Sequence, residues 1–222
     1  MARSDRSWRL AVGIAGALTF AGGGMHPDSA DGASLQEGLA EMTAFTGEWV
    51  TGHGLMTAGS AMLVLGLLAV RRAGAWPAAA RVLPFALVAT AVNTVELVLH
   101  TAAVTDHDRL AAGEWPPLTV AHLSAAVVAY PLFGVALVAL AWRLLPTWAP
   151  PLRAVAAAGM VAGVANALAA PLTVAGVDGA NELFPIAGIG SALFLVTAAL
   201  AGLRSPAGTY DGGSIRMASA SQ

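Results

Sequence analysis

Six long apolar runs, at about 8–25, 49–70, 82–104, 118–142, 152–175 and 183–203, constrain this chain more than any other feature. Each reaches or approaches the roughly 17–25 residues that an α-helix needs to cross a bilayer. In hydrocarbon every backbone N–H and C=O must be satisfied within its own segment, so spans of this length are helical. Only 11% of the residues are charged, against about 25% in an ordinary soluble domain. The expectation is an all-α integral membrane protein of six transmembrane helices, arranged as three hairpins in one bundle over residues 1–204. A polar tail, 205–222, is expected to be disordered.

The charges orient the bundle. All eleven basic residues are arginines. Arg3, Arg6 and Arg9 precede the first run, Arg71, Arg72 and Arg81 follow the second, Arg143 and Arg153 follow the fourth, and Arg204 and Arg216 follow the sixth. Only Arg109 falls in the other set of connections. Those connections hold Asp28, Asp31, Glu37, Glu41, Glu48, Asp106, Asp108, Glu114, Asp178 and Glu182. The positive-inside rule then places both termini in the cytoplasm and the acidic loops outside. Alanine richness and arginine in place of lysine point to a high-GC bacterial genome, hence a bacterial plasma membrane. The start also has the arginine-bearing head and short apolar core of a cleaved signal peptide. A faint repeat speaks for a retained span: "EWVTGHGLMTAGSAMLVLGLLAV" and "PPLTVAHLSAAVVAYPLFGVALVAL" both set a histidine ahead of small residues and a Leu/Val run.

Local patterns fill in the bundle. Gly, Ala, Ser and Thr are frequent in the runs, and small residues let membrane helices approach closely. The glycines of "AGGGM" and "AGIGSA" read as packing positions, since no lysine follows them to hold a phosphate. Trp8, Trp49, Trp76, Trp115, Trp142 and Trp148 lie near span ends and suggest an interfacial belt. Leu35, Leu39 and Met42 recur at helical spacing and predict a short amphipathic helix over the outer mouth. With no cysteine, thiolate metal sites and thiol redox chemistry are excluded. Basic residues are few and divided among loops, so nucleic-acid binding is not expected.

The chemistry concentrates in "VNTVELVLHTAAVTDHD". Asn93, Glu96 and His100 stand at i, i+3 and i+7, one helical face. A charged side chain facing lipid costs at least ~2.5 kcal/mol on the gentlest scale, so that face should turn inward. His26, His53, His100 and His122 come from four different runs at similar depth on the same side. Converged, these four imidazoles and Glu96 suit Zn²⁺, Cu²⁺ or Fe²⁺, with Asn93 as a supporting partner. Haem is the weaker fit, because four histidines at one depth do not make two stacked sites. His107, between Asp106 and Asp108, reads as solvated loop. The expected function is a membrane metalloprotein, an oxidoreductase acting on a small apolar substrate. The alternatives are a metal-free cyclase or isomerase of a lipid or isoprenoid with Glu96 as general acid, a small proton-coupled carrier, or a scaffolding subunit.

Overall fold

The computed structural model describes residues 4–27 and 33–201. The tail expected to be disordered lies outside the described residues. Within them the secondary structure is entirely helical: α1 (Ser4–Gly24), α2 (Leu35–Ala44), α3 (Thr46–Ala73), α4 (Leu83–Ala102), α5 (His107–Ala111), α6 (Pro117–Leu144), α7 (Pro150–Val174) and α8 (Leu183–Ala201), with short 3-10 turns between some of them. Five of these, α3, α4, α6, α7 and α8, are long and apolar enough to cross a membrane. With 21 residues α1 is comparable in length. Arg9 and five glycines dilute its apolar character.

Helix ends follow from local sequence. Proline enters the first turn of α4, α6 and α7, where its missing N–H costs nothing. Gly74 ends α3 in the left-handed region at φ 60° and donates its N–H back to Arg71 and Val70. Arg71 and Arg72 occupy the last turn of α3, where cations complement the helix dipole. A capping box opens α2: Ser34 accepts from the Glu37 N–H, and the Glu37 carboxylate accepts from the Ser34 N–H. Hydrogen bonding to the Ser34 hydroxyl and to the Ser34 backbone N–H holds the Glu37 carboxyl below its usual range.

The long helices form a closed ring. α1 packs on α3, α3 on α4, α4 on α6, α6 on α7, α7 on α8, and α8 returns to α1. Glycine permits the closest of these contacts. A Cβ on Gly134 would fall on the Gly163 carbonyl oxygen, and one on Gly163 would lie 2.7 Å from the Gly134 oxygen. The α6 and α7 backbones therefore touch. Likewise a Cβ on Gly22 would lie 2.5 Å from the Gly52 oxygen, so α1 and α3 meet just before their histidines. Of the expected packing glycines, Gly22 and Gly190 do face a neighbour, whereas Gly23, Gly24 and Gly188 face open space.

Outward-facing Leu65, Val88, Val95, Val128, Val135, Val161 and Ile189 are exposed. So much open apolar surface is rare on a soluble monomer and suggests contact with membrane lipid. The expected tryptophan belt is corrected. Trp8, Trp49, Trp76 and Trp148 are buried, and only Trp115 and Trp142 are exposed, at 46% and 62%. At the arginine-bearing end Trp8 packs edge-on to Trp76 and Trp148 stacks on Phe194, within a core that includes Leu67, Val70 and Leu137. At the opposite end the short helix expected around Leu39 is present as α2. It packs on α5, and Leu39 and Leu110 cover Trp49.

Candidate metal centre

Four successive members of the ring supply the polar end. His26 follows the C-terminus of α1, His53 lies in the second turn of α3, Glu96 and His100 lie near the end of α4, and His122 lies in the second turn of α6. Because neighbours in sequence are neighbours in the ring, these positions converge. The ring centroids of His26 and His53 are 4.7 Å apart, those of His53 and His100 4.1 Å, and those of His100 and His122 3.8 Å. The set is well buried: His53 is 0% exposed, Glu96 1% and His122 3%. His26 and His100 are half-buried and form its more open edge.

Hydrogen bonds fix the ring nitrogens. His53 Nδ1–H donates to the Trp49 carbonyl at 2.8 Å, which leaves Nε2 as the lone-pair nitrogen. His26 Nδ1–H donates to the Pro27 carbonyl at 2.7 Å with the same consequence. Both use a local carbonyl to orient an imidazole, as metal-ligating histidines commonly do. His122 Nδ1–H donates to Glu96 Oε1 at 2.8 Å, and His100 Nδ1 lies 3.5 Å from the same oxygen. Three buried atoms of this set have no hydrogen-bond partner among the described residues: His53 Nε2, Glu96 Oε2 and His100 Nδ1. A buried polar atom left unpaired costs about 1–3 kcal/mol, and coordination to a cation would offset that cost. These buried His and Glu groups could hold a metal ion.

The surroundings depart from expectation at two points. Asn93 is buried, yet its amide donates to Ser60 Oγ at 3.4 Å. That hydroxyl also meets Thr94 Oγ1 at 2.8 Å, and Thr57 and Thr101 pair at 3.4 Å. Asn93 thus belongs to a polar stitch between α3 and α4 that sets the spacing of His53 and His100. His107 is not solvated loop: it opens α5, half-buried, with Nδ1 3.1 Å from Thr43 Oγ1. Its neighbour Asp106 accepts from the Thr119 backbone and hydroxyl at 2.8 and 2.9 Å. It thereby caps the orphan amides at the start of α6, one turn before His122.

Trp49 is the functional neighbour that sequence reading missed. Its ring lies 4.2 Å from that of His53 and 5.1 Å from that of His100, and Nε1 donates to the His100 and Thr101 carbonyls at 3.2 and 3.3 Å. The available signal was its position four residues before His53, on the same helical face. An apolar groove on α7 and α8, lined by Ala158, Val161, Ile186, Ile189 and Leu193 among others, contains no titratable residue. The chain matches no protein-family model, no curated relative and no solved structure, so its function rests on this geometry.

Proposed function

We propose that this chain is a multi-pass metalloprotein of a bacterial plasma membrane, with a His/Glu centre near the outer face that serves as an oxidoreductase. In this reading α1 is a sixth span, both termini are cytoplasmic, and residues 1–204 make one bundle. Two features support the sixth span: α1 closes the ring between α3 and α8, and His26 follows directly from it. One observation carries the reading: a continuous row of four imidazoles, His26, His53, His100 and His122, ends on Glu96 and leaves buried His53 Nε2, Glu96 Oε2 and His100 Nδ1 unpartnered.

The donor set is imidazole and carboxylate, which suits copper, zinc or iron. Copper and iron can exchange an electron with a small substrate, and zinc cannot. Haem is disfavoured because His53, His100 and His122 lie ring against ring, at 4.1 and 3.8 Å, with no gap for a porphyrin plate between them. The general-acid reading of Glu96 has less support, since its carboxylate is already engaged by His122. The test is elemental analysis and an absorption spectrum of untagged protein purified in detergent. Copper, iron or zinc should copurify and should be lost when His53→Gln and His122→Gln are combined. A wild-type protein that neither copurifies with these metals nor takes them up on addition would end the proposal.

A further inference from the structure

The donors do not surround a single point. Those of His26, His53 and His100 lie within 4.8 Å of one another, and so do those of Glu96, His100 and His122. His100 belongs to both sets. Its ring is flanked by His53 at 4.1 Å and by His122 at 3.8 Å.

We propose that the centre binds two transition-metal ions side by side, one on His26, His53 and His100 and the other on Glu96, His100 and His122, with the His100 imidazole bridging them. This rests on the metal-centre reading above and adds its nuclearity. The hydrogen bonds agree with the division. His26 and His53 each spend Nδ1 on a carbonyl and turn Nε2 to the first set. On the other side His100 Nδ1 lies near Glu96 Oε1, leaving Nε2 of the same ring for the first set.

An imidazole has two ring nitrogens but, while neutral, one lone pair. When the second ion binds, the ring proton of His100 leaves to water and each nitrogen donates one pair to one ion. The resulting anionic bridge and the Glu96 carboxylate together offset part of the charge of two cations at membrane depth, where uncompensated charge is costly. Each ion then has three protein donors and an open position, as catalytic sites do. A single ion holding all five residues would need their donors to be mutually close, and they fall instead into two overlapping threes.

The test is Cu²⁺ titration of metal-stripped, untagged full-length protein in detergent, read by bound copper per chain and by electron paramagnetic resonance. Wild type should bind two equivalents, with a spin signal far below two per chain because the bridge couples the ions. His53→Gln and His122→Gln should each bind one equivalent and show about one full spin. One equivalent in wild type, abolished by either substitution, would overturn the two-ion centre and leave the metalloprotein reading standing. Two equivalents with two full spins would overturn the bridge. No binding at all would overturn both readings. Should either variant fail to fold, wild-type stoichiometry and spin count still decide.

Discussion

At the residue scale, Trp49 and Glu96 show how a buried polar set is organised. Glu96 sits within a span because His122 donates to it and His100 approaches it, which lessens the penalty of a carboxylate away from water. Trp49 fixes the other side through bonds to the His100 and Thr101 carbonyls and contact with the His53 ring. Replacing it by Phe keeps most of the packing and removes both bonds. Copper binding should quench Trp49 fluorescence, and Trp49→Phe should abolish that component and weaken copper binding roughly tenfold, as supporting partners of metal ligands typically do. Equal affinity in the two proteins, measured by competition with a chelator, would show that Trp49 is packing alone. Glu96 and the four histidines were legible as candidates, because polar groups in apolar runs are conspicuous. The place of Asn93 was not: a shared helical face gives direction, and the hydroxyl of Ser60 on a different helix decided which partner it met.

At the element scale, the runs of small residues determine how near two helices can come. Gly134 on α6 and Gly163 on α7 place their backbones in contact, where dispersion and close approach replace hydrophobic exclusion as the cohesive force. Gly188 on α8 faces nothing within 4 Å. Gly→Ala raises intrinsic helix propensity by about 1 kcal/mol at either position, so the pair isolates the contact. Gly188→Ala should leave thermal stability in detergent unchanged or higher. Gly134→Ala should lower it by about 2 kcal/mol through overpacking. Equal melting temperatures would mean that the α6–α7 contact is looser than described. Helix positions were readable from the runs, and the α2 helix from the spacing of Leu35, Leu39 and Met42. Burial of Trp8, Trp76 and Trp148 was not. Span-end tryptophans are interfacial or internal according to which face the neighbouring helices cover.

At the scale of the whole molecule, charge and polarity are divided between the two ends of one ring. Arg71, Arg72, Arg81, Arg143 and Arg153 lie at one end, and the histidines, α2 and α5 at the other. The absence of cysteine makes the expected orientation simple to test. In intact cells a membrane-impermeant maleimide should label Asp178→Cys and not Arg72→Cys, both at exposed positions. The opposite pattern would invert the proposed topology. The sequence by itself determined the helical class, the approximate helix boundaries and the segregation of histidine from arginine, because hydrocarbon leaves the backbone no other conformation and each segment declares its own polarity. Only the tertiary structure decided that α8 closes on α1, that α2 and α5 cover Trp49, and that His100 stands between two sets of donors. Those are relations between faces of different helices, set by close packing at Gly22, Gly52, Gly134 and Gly163 and by hydrogen bonds across helices, and no single segment encodes them.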